Sequence, residues 1–379
     1  MLQVLTSTEN IVSHGTSRQR PISGQVSTTY VPELVDALTW DTALADFADV
    51  SYEQSDCYMS GQWGGRVSRL LVREPKNGCA VGGALVVEIT PPLLSTGLAY
   101  VKFGPFWQRR CEQPNEEVFK AIVNALRQEF CINRGHMLSI LPRPSPDVEV
   151  TETQLLRDMG FCQRRSFDDP DRYLVRIHSD DDTQMKSLAQ KWRYNLKKAI
   201  KNNITVKSSD DAAGLATFKT LHDEMVARKK FNDVDAIDLI PQLRSQLPDG
   251  LRPHVFIAYH NDKPVSGAVV GVLGNTAYYV YGASSDDALP LKAGYAMQWE
   301  ILRWLQGRGA NWYDLGGKVA ETGLHQFKKG LVGKTGEIWT MTGEMDCWNG
   351  LGGRLLGDTL YLMRGIMQKL HGAIHRIAG

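Results

Sequence analysis

The side chains best suited to chemistry lie between Asn311 and Gly330, near the C-terminal end of the sequence. This stretch begins as a short apolar and aromatic run that is typical of a buried strand, and the run ends at a double glycine. Glycine has no Cβ atom, so a ligand can approach the backbone there, and two lysines follow in a predicted turn. A strand, a loop and a solvated lysine pair is the plainer interpretation of the same pattern. The candidate site residues are Tyr313, Asp314, Gly316, Gly317, Phe327, Lys328 and Lys329.

A second candidate is the basic segment from Lys186 to Lys207, which contains seven lysines and arginines and no acidic residue. A cationic helix of this kind can hold nucleic-acid phosphates, and its aromatic residues can stack on exposed bases. The alternative is that Trp192, Leu196 and Ile200 form its buried face while the cations are solvated. We expect Trp192 and Tyr194 to lie mostly in the core and the cations to be functional. The candidates for phosphate contacts are Arg193, Lys197, Lys198 and Lys201.

Other chemical motifs are weaker. His371 and His375 have the helical spacing of metal ligands, but no third ligand is placed to complete a site. The sequence has no P-loop and no nucleophile elbow. Residues Leu291–Ala296 partly resemble the loop by which acetyltransferases hold a pyrophosphate, although the usual polar first residue is replaced by Leu291. This loop is stronger evidence for an acetyltransferase-like fold than for binding of coenzyme A.

Composition narrows the class of protein. The chain has 379 residues, of which 42% are hydrophobic and 22% charged, so it is typical of a soluble protein with two domains. The net charge of +1 excludes a bulk polycation, and any nucleic-acid contact must therefore come from a local patch. Six scattered cysteines, without a C-x-x-C pair, favour reduced thiols. We see no apolar run long enough to span a membrane, and we expect a cytoplasmic protein.

Patterning predicts the domain organisation. Residues 1–30 are rich in polar residues and predict a flexible leader. Strand and helix patterns alternate in residues 31–179 and again in 180–345, which predicts an α/β fold with two domains. The second domain is expected to open with one long helix through Asp180–Ile200. Residues 346–379 predict an amphipathic helix with an apolar stripe that docks on its own domain; a membrane-surface role is the alternative. The stripe contains Leu356, Leu360, Met363, Met367, Leu370, Ile374 and Ile377.

Five segments together resemble the FemABX family, the aminoacyl-tRNA-dependent peptidyltransferases that build peptidoglycan cross-bridges. They occur in the family's order: Tyr52–Ser55 followed by Tyr58, Phe103–Phe106, Leu155–Phe161, Trp192–Val206, and Tyr313–Gly317 with Phe327 and Lys328. The sequence departs from the family at Leu315, where a Phe is usual, and it has no room for a long helical arm between Ile204 and Val255. Members that act on the cell-wall precursor often carry a lysine where this chain has Ser60–Gln62.

The resemblance implies two tandem GNAT-like (acetyltransferase-like) domains and transfer of an aminoacyl group from charged tRNA to an amine. That amine is expected on a peptidoglycan-like precursor or on another cell-envelope or natural-product molecule. The family counterpart of Lys328 lies beside the reacting ester, so Lys328 is the predicted catalytic residue. Phe327, Lys329 and the four cations of the basic segment are assigned to the donor, and Tyr313, Asp314, Gly316 and Gly317 to the shape of the site. The implied acceptor residues are Tyr58, Lys102 and Gly104.

The resemblance implies no cofactor and no metal. Charged tRNA and the acceptor are the expected partners, DNA is not expected, and contact with the inner face of the cytoplasmic membrane is left open. Two other function classes remain. One is an acyl-CoA-dependent N-acyltransferase, with acetyl-CoA or another acyl-CoA as donor. The other is a non-catalytic module that binds RNA or a membrane surface.

Overall fold

The computed structural model describes residues 30–63, 66–148, 151–164, 171–229, 236–317 and 323–363. The predicted leader, apart from Tyr30, lies outside these ranges, as do His371 and His375.

Strands and helices alternate along the described chain. The strands are β1 Val31–Leu34, β2 Val67–Arg73, β3 Ala80–Ile89, β4 Leu98–Lys102, β5 Met137–Leu141, β6 Cys162–Gln163, β7 Arg172–Arg176, β8 Thr205–Ser209, β9 His254–His260, β10 Lys263–Leu273, β11 Thr276–Ser284, β12 Trp312–Gly317, β13 Glu337–Trp339 and β14 Met345–Cys347. The helices are α1 Ala37–Ala43, α2 Asp56–Trp63, α3 Glu116–Leu126, α4 Glu152–Asp158, α5 Asp181–Ser187, α6 Gln190–Lys201, α7 Ala212–Lys229, α8 Ile240–Gln246, α9 Ala288–Leu291, α10 Ala293–Leu305, α11 Gly323–Val332 and α12 at residues 351–363. Short 3₁₀ turns are Leu44–Asp46, Tyr52–Gln54, Ala236–Leu239 and Asp249–Leu251, and a π-helical turn, Arg127–Asn133, continues α3.

The described strands form two seven-stranded sheets with the same layout. The first has the order β1-β2-β3-β4-β5-β14-β6, and the second has the order β8-β9-β10-β11-β12-β7-β13. In each sheet an antiparallel meander leads to a parallel pair, β4 with β5 and β11 with β12. A parallel pair needs a crossover connection, which α3 and α10 supply. The predicted α/β fold class is confirmed in this doubled arrangement.

The two halves of the chain exchange strands. Strand β7 precedes residue 180, the predicted start of the second domain, yet it pairs with β12 and β13 in the second sheet. Strand β14 follows the second sheet in sequence, yet it pairs with β5 and β6 in the first sheet. Each sheet is therefore completed by a strand from the other half. Local patterning does not show such an exchange because it depends on pairing between distant segments.

The prediction of one long helix through Asp180–Ile200 is wrong. Leu188 and Ala189 adopt extended backbone, with ψ of 150° and 148°, and they separate α5 from α6. The N–H of Ala189 donates to the carbonyl of Gly330 at 3.0 Å, and the N–H of Lys334 donates to the carbonyl of Ser187 at 2.8 Å. The break is thus a tertiary contact with the end of α11, which helical periodicity alone does not reveal.

The buried face of α6 also differs from its prediction. Trp192, Leu196 and Ala199 are buried. Ile200 and Tyr194, both expected in the core, are each 58% exposed. The helix therefore buries positions i, i+4 and i+7, which follow the 3.6-residue turn more closely than a strict spacing of four does.

An aromatic contact joins the two sheets. The hydroxyl of Tyr52, in the first half of the chain, donates to the carbonyl of Leu251 at 3.3 Å, and that of Tyr278 donates to the carbonyl of Val50 at 3.3 Å. The two rings lie 5.8 Å apart, edge to face. Gly271 faces Tyr52, and a Cβ atom there would overlap the phenol. A glycine in β10 is therefore what lets the two domains approach each other here.

Helix α12 docks on the first sheet through small residues rather than leucines. Gly353, Gly357 and Tyr361 are its buried positions. A Cβ atom at Gly357 would overlap Met137, and the Tyr361 hydroxyl lies 2.6 Å from the Oγ of Ser139. The predicted helix is present here, but its docking face is not the predicted stripe. Leu356 and Leu360 are only half-buried and Met363 is exposed; the stripe beyond residue 363 lies outside the described residues.

Candidate active site

The end of β12 bends away from its parallel partner. Strand β12 pairs with β11 only as far as Asp314 and Tyr278, and Gly317 then pairs with Arg172 of β7. Gly316 has φ of 85°, a left-handed conformation that favours glycine, and its N–H donates to Oδ1 of Asp314 at 2.8 Å. Strands β11 and β12 therefore diverge at the double glycine.

Lys328 lies over this bend. It belongs to helix α11, so its predicted position in a turn is wrong. Its Nζ donates to the carbonyl of Gly317 at 3.4 Å and lies 5.5 Å from the centroid of the Tyr173 ring. A Cβ atom at Gly316 would lie 3.9 Å from this ammonium, which is ordinary van der Waals contact, so the double-glycine bend lies directly beside Nζ. Burial, and then the charge of Arg172, lower the pKa of Lys328, whereas Asp314 opposes that effect.

Arg172 and Asp314 form a buried ion pair beside Lys328. Nη2 and Nε of Arg172 lie 2.8 and 3.0 Å from Oδ2 of Asp314. Because Oδ1 of Asp314 accepts from Gly316, both carboxylate oxygens are committed to structural bonds. A carboxylate held in this way orders the bend and is poorly placed to remove a proton from a substrate.

The first domain reaches this ion pair through Phe103. The guanidinium of Arg172 lies 5.4 Å from the centroid of the Phe103 ring. The next residue, Gly104, packs against Gln54, since a Cβ atom at Gly104 would lie 2.6 Å from the Gln54 amide carbon. Gln54 also donates to the carbonyl of Lys102 at 2.8 Å. The Gln-Ser and Gly-Pro segments, two separate motifs of the sequence, therefore form one structure that faces the second domain.

Two site residues were missed by sequence reasoning. They are Arg172 and Tyr173, which lie next to each other in β7. The Tyr173 hydroxyl lies 2.5 Å from Nδ1 of His325, and both side chains are buried. His325 precedes Lys328 by one helical turn on α11, so this bond fixes the turn that carries the lysine. The i, i+3 spacing of His325 and Lys328 was the available signal.

The remaining candidates of the 311–330 stretch have different surroundings. Tyr313 is fully buried in the core of the second domain. The ring of Phe327 packs 4.9 Å from Tyr295 and 6.1 Å from Trp192. Lys329 is exposed. Tyr313 and Phe327 therefore support the site from within, and Lys329 faces solvent.

The predicted acceptor residues lie in the first domain. Lys102 is 3.9 Å from Glu53 and 5.5 Å from the ring centroid of Phe103. Tyr58 is half-buried, with its ring 6.1 Å from that of Tyr52. Lys102 and Gly104 thus flank the Phe103 contact, whereas Tyr58 packs at the aromatic contact between the sheets.

The basic segment divides into two kinds of cation. Arg193 is half-buried, and its Nη1 donates to the carbonyls of Leu188 and Lys186 at 3.0 and 3.3 Å, so it caps the end of α5. Lys198 lies 4.7 Å from the centroid of the exposed Tyr194 ring. Lys197, Lys198 and Lys201 are exposed, and no described acidic side chain pairs with them.

A cavity of about 130 Å³ lies between the two domains on the other side of Asp314. Arg143 and Gln108 of the first domain and Tyr278 and Trp312 of the second line it. Arg143 and Gln108 are buried, and within the described chain Nε of Arg143 and Nε2 of Gln108 have no hydrogen-bond partner. Unpaired buried donors beside a cavity favour a polar guest, either water or part of a substrate.

The described residues contain no cluster of three or more side chains that could hold a metal ion. Within the same residues, no helix has the length and apolar character needed to cross a bilayer.

Comparison with known proteins shows which families and structures this chain resembles. The acetyltransferase (GNAT) domain family matches residues 186–329. Lipid II:glycine glycyltransferase of Staphylococcus epidermidis is 29% identical over 145 residues, which cover 37% of this chain and 32% of that protein. The crystal structure of FemX superposes with a TM-score of 0.67 at 19% identity, covering 83% of this chain and 96% of FemX. The predicted resemblance to the FemABX family is confirmed.

Other matches agree with the FemABX-like fold. Lipid II:glycine glycyltransferase of Staphylococcus haemolyticus is 34% identical over 91 residues, or 24% of this chain and 20% of that protein. The structure of L-PGS from Bacillus licheniformis has a TM-score of 0.52 at 13% identity, covering 86% of this chain and 98% of that one. The two sheets are GNAT-like domains in tandem, and the comparisons support the predicted acyltransferase enzyme. The chain spans about a third or less of the length of the curated relatives that it matches.

Proposed function

We propose that this protein transfers an aminoacyl group from the ester of a charged tRNA to an amine of a peptidoglycan precursor. The observation that carries the proposal is the position of Lys328, whose ammonium lies over the double-glycine bend at the end of β12. Relatives named lipid II:glycine glycyltransferase support glycine as the transferred group and lipid II as the acceptor. The tRNA donor rests on the family resemblance.

Lys328 suits the chemistry of such a transfer. The acceptor amine attacks the ester carbonyl, the new C–N bond replaces the ester C–O bond, and a proton passes from the amine to the ribose oxygen that leaves. Negative charge develops on the carbonyl oxygen, and a half-buried ammonium stabilises that charge more strongly than a solvated one. Because Asp314 is committed to Arg172 and Gly316, we assign it no proton transfer. Positioning of the two substrates supplies much of the rate.

The acceptor is proposed to enter from the first domain. Lys102 and Gly104 flank Phe103, whose ring contacts Arg172 beside the proposed reaction centre. The cavity lined by Arg143 and Gln108 adjoins the same ion pair and offers further polar contacts. Tyr58 packs at the aromatic contact between the sheets and is proposed to shape this side.

The donor is proposed to lie along the second domain. Lys197, Lys198 and Lys201 are exposed on α6, and Lys329 is exposed on α11. Helices α6 and α11 meet where Phe327 packs against Trp192. These exposed lysines therefore lie on α11, which carries Lys328, and on the helix that packs against it. A tRNA whose phosphate backbone leads to the reacting ester needs positive charge along such a path.

The test is a transfer assay with purified lipid II and glycyl-tRNA. We expect Lys328→Ala to lower kcat by about 10²–10³, as loss of an oxyanion-stabilising group does, with tRNA binding retained. Lys334→Ala is the matched control, because Lys334 is an exposed lysine just beyond the same helix. Full activity in Lys328→Ala would remove the assignment of this lysine, and no transfer by the wild-type protein with any charged tRNA would refute the proposed donor.

An acyl-CoA donor is the second candidate function, because the matched domain family is described as an acetyltransferase. Lys292 has φ of 59° and directly precedes α10, in the loop that resembles a pyrophosphate-binding segment. Saturable binding of acetyl-CoA, with amine acetylation and no affinity for tRNA, would favour this candidate. Tight tRNA binding that weakens steeply with salt, without acetyl-CoA binding, would exclude it.

A further inference from the structure

Helix α12 carries leucines on the face opposite to its docked face. Leu351, Leu355 and Leu362 are 73%, 65% and 65% exposed. At 100° per residue these three lie within about 40° of one another around the helix axis. The buried positions Gly353 and Gly357 lie on the other side. The helix is therefore amphipathic in an unusual sense, since its leucines point away from the protein core.

A second apolar element adjoins the start of α12. Leu93 and Leu94 are 104% and 48% exposed in the loop between β3 and β4. Gly353 packs on the backbone of Gly135, and a Cβ atom at Gly135 would lie 3.6 Å from Thr96 of that loop. The loop that carries Leu93 and Leu94 therefore lies near the start of α12. We call Leu93, Leu94, Leu351, Leu355 and Leu362 the leucine surface.

Charge around the leucine surface is neutral to positive. Residues 90–97 contain no charged residue. Asp358 of α12 is neutralised by Arg164 at 2.7 Å and by Arg354 at 3.7 Å. Arg354 also lies 4.8 Å from the centroid of the Trp348 ring. The sequence that follows, residues 364–379, contains three lysines and arginines and no acidic residue.

We propose that the leucine surface docks this protein on an anionic lipid bilayer. Interfacial helices bind such membranes through exposed leucines together with tryptophan and cationic residues. Here Trp348 and Arg354 accompany the leucines, and the sequence continues after α12 with a cationic, acid-free segment. Leu93 is fully exposed at a loop, and a protruding side chain inserts readily into a deformable lipid interface. Contiguous exposed apolar residues also mark interaction surfaces in general. The proposal does not depend on the donor or the acceptor of the transfer reaction.

The test is vesicle flotation of the full-length protein. We expect binding to vesicles of phosphatidylglycerol and phosphatidylcholine, and binding at least about tenfold weaker to phosphatidylcholine alone. The variant Leu351→Gln/Leu355→Gln/Leu362→Gln should partition at least about tenfold less, because three leucines no longer enter the apolar layer. Leu93→Gln/Leu94→Gln should weaken binding as well. Glutamine keeps good helix propensity, and circular dichroism confirms that the variants are folded.

Leu289→Gln is the matched control, because Leu289 is also 73% exposed but lies in the second domain. It should bind vesicles as the wild-type protein does. Absence of wild-type binding to anionic vesicles, or equal binding by the triple variant, overturns the proposal. Analytical ultracentrifugation tests the competing occupant, a second copy of the chain. If the wild-type protein is a dimer that does not bind vesicles, and the triple variant is a monomer, this face is a dimer interface. Aminoacyl transfer is measured separately, so a failure of membrane binding leaves the proposed reaction untouched.

Discussion

Lys328 holds its proton less tightly than an exposed lysine does, and its two charged neighbours have opposite effects on its pKa. Burial lowers the pKa of Lys328 most, the positive charge of Arg172 lowers it further, and the negative charge of Asp314 raises it. If the ammonium is the form that stabilises the transition state, activity falls as pH rises through this lowered pKa. The ion pair beside Lys328 therefore sets the upper end of the working pH range.

Two substitutions should move this limit in opposite directions. Asp314→Asn removes a negative charge, so the pKa of Lys328 falls further and the alkaline limb of kcat moves to lower pH. Arg172→Gln removes a positive charge, so the pKa rises and the limb moves to higher pH. Profiles of kcat against pH for both variants, with NMR titration of the Lys328 ammonium, measure the shifts.

Lys334→Gln is the control, because Lys334 is exposed just beyond the end of α11. Its alkaline limb should stay where the wild-type limb is. Shifts of Asp314→Asn and Arg172→Gln in the same direction would contradict the electrostatic account of Lys328.

At the scale of elements, helix α6 carries two kinds of cation: one that caps the end of α5 and others that are exposed to solvent. Arg193 bonds two backbone carbonyls at the end of α5, whereas Lys197, Lys198 and Lys201 extend into solvent. The same loss of positive charge should therefore have different effects at different positions of one helix.

We expect the triple variant Lys197→Gln/Lys198→Gln/Lys201→Gln to weaken tRNA binding and to lower the slope of log affinity against log salt by roughly 2–3. Its stability should stay near that of the wild-type protein. Arg193→Gln should instead lower the free energy of unfolding by about 1 kcal/mol or more, because it leaves backbone carbonyls of α5 unpaired. Salt titrations of tRNA binding and urea denaturation measure the two effects. An unchanged salt slope in the triple variant would remove α6 from the donor surface.

Sequence reasoning worked for elements whose signal is local. The sequence pattern is sufficient to predict strands Val67–Arg73 and Ala80–Ile89 with the bounds that the structure shows, because a turn-rich segment separates two β-rich runs. Sequence reasoning failed where a contact between residues far apart in the sequence determines the local structure. The break between α5 and α6 depends on Gly330, and the ion pair of Arg172 with Asp314 spans 142 residues of sequence. The motif containing Lys328 can be recognised in the sequence, but its neighbours Arg172 and Tyr173 cannot.

At the scale of the whole molecule, two buried carboxyl groups lie behind the cavity between the domains. Asp49 accepts the backbone N–H groups of Trp107 and Gln108 at 2.7 and 3.1 Å. Glu152 accepts from the indole of Trp107 at 3.1 Å and lies 4.0 Å from the guanidinium of Arg143. Burial raises the pKa of Glu152 to about 7 and that of Asp49 to about 6, and Arg143 opposes both effects.

These raised pKa values make stability depend on pH. The pKa of Glu152 is about 7 in the folded protein and near 4.5, the ordinary value for a glutamate, in the unfolded chain. Between these values the folded state binds more protons, so the free energy of unfolding falls as pH rises. The contribution is fully present below about pH 4.5 and lost above about pH 7. Asp49 acts in the same direction over a lower window.

Glu152→Gln should therefore flatten the pH dependence of stability. Glutamine keeps an acceptor for the Trp107 indole but has no charge to bury. From pH 5 to pH 8, the wild-type protein should lose on the order of 1–3 kcal/mol more unfolding free energy than the variant does. Urea denaturation at both pH values measures this difference. Glu117→Gln, at a 71% exposed glutamate, should behave as the wild-type protein does. An equal pH dependence in Glu152→Gln and wild type would show that ionisation of Glu152 does not lower the free energy of unfolding.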